Sequence, residues 1–204
     1  MKKEKLKSIL GIFFILVLFI FFSYLVQTNM DFFQEFVGEG FSGMFVYILT
    51  TIVAVVLVPI STLPLLPIVS SLWGWVVAAL LSIVSWTIGA LIAFWIAREY
   101  GSPLIKKFIP INKIQKLEKK IPRENFFWSV VFLRMVLPVD ILSYALGLLS
   151  KMKTGSYMLA TLIGVAPFAF VLSYLGTFPF QYQLISLPIA GIILLLSFLI
   201  RWRN

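Results

Sequence analysis

Lysine and arginine occur in this chain at 2–7, 98–123, 134, 151–153 and 201–203, and nowhere else. The stretches between these positions are long and apolar. With 61% hydrophobic and 12% charged residues, the chain lies far from a soluble domain, which is about 45–50% apolar and about 25% charged. A bilayer leaves no water to satisfy free backbone groups, so such stretches must be helical. The fold class that follows is an all-α polytopic membrane protein forming one compact bundle. The sequence contains no cysteine and no histidine. That removes disulfides, thiol nucleophiles, imidazole-held zinc or haem, and Ser-His or Cys-His catalysis. No cofactor, no metal and no enzymatic activity are expected, and no nucleic-acid partner.

In chain order, residues 1–28 read as a basic start (Lys2, Lys3, Lys5, Lys7) followed by a first transmembrane helix. The apolar run exceeds the core of a signal peptide, and no small-residue cleavage site follows it. Residues 29–43 carry Asp31, Glu35 and Glu39 with no cation, and Phe32, Phe33, Phe36 and Val37 share a helical face. This predicts a short helix at the outer interface. Met44 to Leu72 is longer than one span needs and too short for two. Pro59, Pro64 and Pro67 interrupt it, so a helix, a break and a short return helix are predicted. Trp73 to Ala97 reads as a clean span, with Gly74 and Gly89 permitting close approach. It is followed by the basic, cytoplasmic stretch 102–125, where Ile111, Ile114, Leu117 and Ile121 recur at helical spacing. Spans at Tyr157 to Leu175 and Leu184 to Ile200 close the chain, the last belonging to a terminal unit at 177–204.

Phe126 to Ser150 is the unusual segment. Arg134, Pro138 and Asp140 lie inside an apolar run, with Ser143, Tyr144 and Gly147 close behind. An ionised group at the bilayer centre costs about 2.5–3.5 kcal/mol on insertion scales, so it needs a partner or a purpose. Broken backbone at that depth must be buried in protein or reached by water. The segment is therefore read as a second hairpin lining an intramembrane cavity. If both hairpins enter and leave on one side, every basic cluster falls in the cytoplasm, as the positive-inside rule requires. The predicted topology is four transmembrane helices plus two opposed re-entrant hairpins, with both termini cytoplasmic. Pro64, Gly74, Gly89 and Gly101 are spaced much like Pro138, Gly147, Gly164 and Gly176. The region 44–176 is thus predicted to be an inverted repeat of 44–101 and 126–176, an arrangement that places a substrate site near the midplane.

The stretch from about Pro59 to Gly176 resembles the DedA/VTT superfamily, also called the SNARE-associated Golgi protein family. The carriers are the Pro-rich first hairpin, the span running into Ala97-Arg98-Glu99-Tyr100-Gly101, and Arg134 to Gly147. The resemblance implies two re-entrant hairpins, a bacterial cell membrane, and movement of a phospholipid or undecaprenyl-phosphate-type lipid. Val58 to Ser71 holds no acid, which favours passive or differently coupled transport over proton drive. The alternative use of the same cavity is transport of a small solute or ion coupled to protons or another ion.

The candidate substrate residues are weighed one by one. Arg134 can anchor a lipid phosphate, because guanidinium forks bidentately onto phosphate; it can equally brace the hairpin with Asp140. A partly desolvated Asp140 can exchange a proton. Ser61 and Thr62 can bond a headgroup or satisfy carbonyls freed by Pro59 and Pro64. Arg98 and Glu99 read as an interfacial pair or a phosphate entry point. Pro64, Pro138 and Gly147 are further candidate substrate-binding or transport positions, as is Tyr144, although Tyr144 and Trp86 read mainly as packing or interface aromatics. The expected partners are membrane lipids with a phosphate-bearing headgroup, and a homo-oligomer is compatible with the sequence.

Overall fold

The computed structural model describes residues 2–37, 40–57, 61–105, 126–136, 139–150 and 152–185. All described secondary structure is helical. Helix α1 is Lys2–Thr28, α2 Met30–Val37 and α3 Phe41–Leu57. A 3₁₀ turn at Leu63–Leu65 leads into α4, Leu66–Trp73. Then come α5 (Trp75–Ile105), α6 (Phe126–Val136), α7 (Val139–Leu149) and α8 (Thr154–Gly176). Among the described residues, two helices are long and apolar enough to cross a membrane: Trp75–Gly101, 27 residues, and Thr154–Gly176, 23 residues. Residues 58–60 and 137–138, with Pro59 and Pro138, the basic stretch 106–125 and the chain from 186 lie outside the described residues.

Helix α5 is the axis of the molecule, packed against α3, α4, α7 and α8. Its inward positions are small: Ala78, Ala79, Ala90, Ala93 and Ala97, with Ser82 and Ser85, are all fully buried. Small residues let helix backbones approach where lipid supplies no hydrophobic drive between helices. Its opposite side carries Val76, Leu80, Val84, Ile88 and Trp95, all exposed. A run of large apolar side chains along one face suits acyl chains and not water.

The contacts fix the direction of each arm. Tyr47 in α3 bonds Ser82 and its ring meets Trp73 at the end of α4, while Val55 lies against Gly89. Helix α3 therefore runs alongside α5 in the same sense. Its return arm starts where Thr62 accepts a hydrogen bond from Trp86 Nε1, 3.2 Å. Trp86 is the twelfth residue of α5, so Thr62 lies level with a point about 17 Å along a helix of about 40 Å. In the second unit Arg134 and Val131 lie against Gly164, the eleventh residue of α8, again at half-length. Helix α7 runs with α5: Leu142 and Leu146 join a buried cluster with Ala90 and Phe94, and Arg98 reaches the carbonyls of Ser150 and Met152. Helix α3 thus begins toward the Trp75 end of α5, and α7 ends beside Arg98.

One pair of glycines does the same work in both units. A Cβ on Gly89 would lie 2.8 Å from Val55 Cβ and 3.2 Å from Ile52 O. A Cβ on Gly164 would lie 2.5 Å from Arg134 Cβ and 2.8 Å from Val131 O. The same residue and its neighbour three positions back meet the glycine in each case, so Val55 stands where the second unit has Arg134. The other glycines do not correspond. Gly74 has φ 80° and open space around it; it is the turn between α4 and α5, not a site of close approach. Its conformation ends α4, so the following span starts at Trp75 instead of Trp73. That span also runs through Arg98-Glu99-Tyr100 to a break at Gly101, φ 64°. Helix α8 starts at Thr154, three residues before the predicted Tyr157.

Helix α1 packs on α4 and the 3₁₀ turn. Gln27 Nε2 donates to Phe178 O, 2.9 Å, and Gln27 Oε1 accepts from Phe180 N, 3.1 Å. The end of α1 is thereby tied to the turn after α8, at the mouth of the first hairpin. The short helix α2, bearing exposed Asp31 and Glu35, follows at that end.

Candidate functional site

The two units meet at the ends of their broken helices. Tyr144 OH in α7 donates to Val56 O, 2.7 Å, in the last turn of α3. The last four carbonyls of a helix lack intrahelical partners. A carbonyl released by the first break is therefore satisfied from the second hairpin, and Tyr144 is part of the junction. On the first hairpin Ser61 Oγ accepts from Leu63 N, 3.4 Å, a local turn bond. Thr62 is buried and holds the Trp86 indole; Pro64 is buried beneath it. Ser61 and Thr62 thus act as acceptors within this hairpin.

Arg134, in α6, is 3% exposed. Its Nη2 donates to Ser143 Oγ, 3.1 Å, and to Tyr157 OH. Tyr157 OH in turn donates to Ala90 O, 3.1 Å. One guanidinium thereby links α6, α7, α8 and, through the phenol, α5. The guanidinium carbon also lies 5.3 Å from the centre of the Tyr157 ring, within cation–π range. On its other side the ring stacks on Phe94, with centroids 4.0 Å apart and planes at 17°. Arg98 covers Phe94 at 4.2 Å. A column of two rings therefore joins the exposed arginine at the end of α5 to the buried one near the junction.

The sequence-predicted residues are brought together unequally. Arg134, Ser143 and Tyr144 fall in one region with Thr62 across the junction. Asp140 lies in the first turn of α7, but its side chain and Pro138 are outside the described residues. Gly147 is buried in α7, where an added Cβ would run into Phe94 O and Ala97 Cβ of α5. Arg98 and Glu99 sit at the far end of α5, away from the junction. Adjacent positions on a helix do not face each other, and Arg98 turns to Ser150 O and Met152 O, both 2.9 Å. It closes the end of α7 with a cation, where the helix dipole favours one.

Tyr157 and Phe94 were not singled out from the sequence. The signal for Tyr157 is a phenol, fully buried in the structure, inside an otherwise apolar span: a buried tyrosine hydroxyl usually has a partner. Tyr157→Phe keeps the ring stack and removes only the hydroxyl, leaving Arg134 and Ala90 O each one bond short. The expected cost is about 1–3 kcal/mol, read as a lower unfolding midpoint of the purified protein in detergent. An unchanged midpoint would show that the hydroxyl bonds contribute nothing.

An all-helical bundle with lipid-suited faces and a charge held inside it defines the class as a membrane protein. Residues 58–178, more than half of the chain, match the model of the VTT domain, so the chain belongs to that family, the DedA or SNARE-associated Golgi protein family. No curated protein and no solved structure matches it. The family is membrane-associated, is proposed to consist of transporters, and is regarded as a transporter family and not an enzyme family.

Proposed function

We propose that this protein moves a phosphate-bearing lipid across the bilayer, in the manner of a flippase or scramblase, through the junction of two re-entrant hairpins. The observation that carries this reading is the placing of Arg134. A cation sits at half-length along α8, bonded to Ser143, whose neighbour Tyr144 bonds the last turn of α3. Structures with opposed broken helices bind their substrates at such a level. Guanidinium is the side chain best matched to phosphate oxygens, and the Ser143 and Tyr157 hydroxyls beside it can join or yield to a phosphate. In the conformation described, the arginine is enclosed. A headgroup reaches it when the second hairpin shifts along α5, while the acyl tails stay in the bilayer. The acidic end at α2 and the Arg98–Lys153 end agree with a topology that has the basic segments in the cytoplasm of a bacterial cell.

The test is reconstitution into vesicles that carry a fluorescent short-chain phospholipid, with an impermeant reductant added outside. Transport predicts bleaching beyond the outer-leaflet pool, rising with protein content. Bleaching confined to that pool, together with protein-dependent ion or solute flux, would replace the lipid reading with that of a small-solute transporter.

A further inference from the structure

We propose that a groove at the Arg98 end of α5 is a separate docking site for a phospholipid whose headgroup carries both a phosphate and a primary ammonium. The groove is open and has a volume of about 490 Å³. Its wall is the stripe Ile92, Trp95 and Ile96, with Glu99 next on the same helical face. Arg98 and Tyr100 complete the polar rim, and Thr154 at the start of α8 closes the far side. An apolar wall leading to a charged rim at the end of a membrane-length helix fits an amphiphile better than a soluble ion. Trp95 and Tyr100 are 53% and 65% exposed, and aromatics so placed belong to the level of lipid headgroups.

The two charges select the headgroup. The guanidinium of Arg98 is held in place by its bonds to Ser150 O and Met152 O and by the Phe94 ring beneath it. Both bonds use Nη2, so three of its five N–H groups are left for a phosphate at no cost in ordering the side chain. A purely anionic headgroup would meet the Glu99 carboxylate beside this anchor. An ammonium on the same headgroup turns that carboxylate into a partner. The break at Gly101, φ 64°, ends the regular helix at the rim, and the carbonyl end of a helix also favours a cation. The faces of Trp95 and Tyr100 add cation–π attraction. This site depends on the chain spanning a membrane and not on lipid transport.

The experiment places the full-length protein in vesicles of phosphatidylglycerol containing a trace of either diazirine-bearing phosphatidylethanolamine or diazirine-bearing phosphatidylglycerol. After irradiation, adducts are mapped by peptide mass spectrometry. The ethanolamine probe is expected to label peptides spanning 92–100 and 154. Glu99→Gln is expected to lower that labelling about two- to fivefold, the range of a partly exposed ion pair, with no loss of phosphatidylglycerol labelling. Ile96→Trp, which fills the wall, is expected to lower both. Equal labelling by the two probes, or no response to Glu99→Gln, overturns the choice of headgroup. Carbodiimide cross-links from Glu99 to the lysines of 102–125 in place of lipid adducts would make that segment the occupant and overturn the site. Adducts without transport, or transport without adducts, tell a failure of this site from a failure of the transport reading.

Discussion

Arg134→Met is expected to reduce lipid movement in reconstituted vesicles to the protein-free level while the protein stays folded. Arg134 is enclosed, and the hydroxyls of Ser143 and Tyr157 are among its partners. Removing the guanidinium leaves the Ser143 and Tyr157 hydroxyls each one bond short, at about 1–3 kcal/mol apiece, so the variant is expected to be less stable than the wild type and still folded. Methionine fills the stem's space against Gly164 and adapts to irregular gaps. If the arginine served only to brace the hairpin, the variant would keep its transport as long as it folded. If it is the phosphate anchor, stability and transport separate. Arg134→Lys sharpens the test, because an ammonium keeps the charge and loses the planar fork. It is expected to retain a small part of the wild-type rate. Lipid movement at the wild-type rate in Arg134→Met would remove Arg134 from the transport path.

Gly147→Val is expected to have the largest effect on stability. The position is buried in α7, and an added Cβ would strike Phe94 O. That atom is backbone in the central helix and cannot rotate away. Relief requires α7 to leave α5, and with it the Tyr144–Val56 bond and the Arg98 contacts to Ser150 and Met152. Overpacking a tight core costs about 1–3 kcal/mol and sometimes more; the rigidity of the obstacle places this substitution at the upper end. Gly155→Val is the control, because nothing lies within 4 Å of a Cβ there. Purified in detergent, Gly147→Val is expected to unfold at a distinctly lower temperature than Gly155→Val. Equal midpoints would show that α7 does not pack on α5 as described.

The interruption before α4 was legible from Pro64 and Pro67, which lie in the 3₁₀ turn and the first turn of α4; Pro59 and Pro138 lie outside the described residues. The family was legible from the Pro-rich first segment, Ala97 to Gly101, and Arg134 to Gly147, within the matched residues 58–178. Glycine was harder to read. At Gly89 and Gly164 it permits close contact, at Gly74 it makes a left-handed turn, and at Gly147 it seats one hairpin on α5. Spacing alone does not separate these roles, since each depends on what the neighbouring helix brings. For the same reason the setting of Arg134 was hidden. Its hydroxyl partners lie 9 and 23 residues away, on other helices, and only tertiary packing joins them. Gly74 sets the start of α5 and Gly101 its break, and the charged residues before Gly101 do not stop the helix. Arg98 and Glu99 instead continue it, one of them capping a neighbouring helix.

The most direct test of the account uses the absence of cysteine from the chain. Ser42→Cys marks the mouth of the first hairpin and Lys153→Cys that of the second, both exposed. Each single variant, in sealed oriented vesicles, is treated with a membrane-impermeant thiol reagent from one side and then the other. Opposed hairpins predict that Ser42→Cys reacts from one face and Lys153→Cys only from the opposite face. Reaction of both from the same face would mean that a hairpin crosses the membrane completely, and the junction around Arg134 would not be a meeting point of two re-entrant arms.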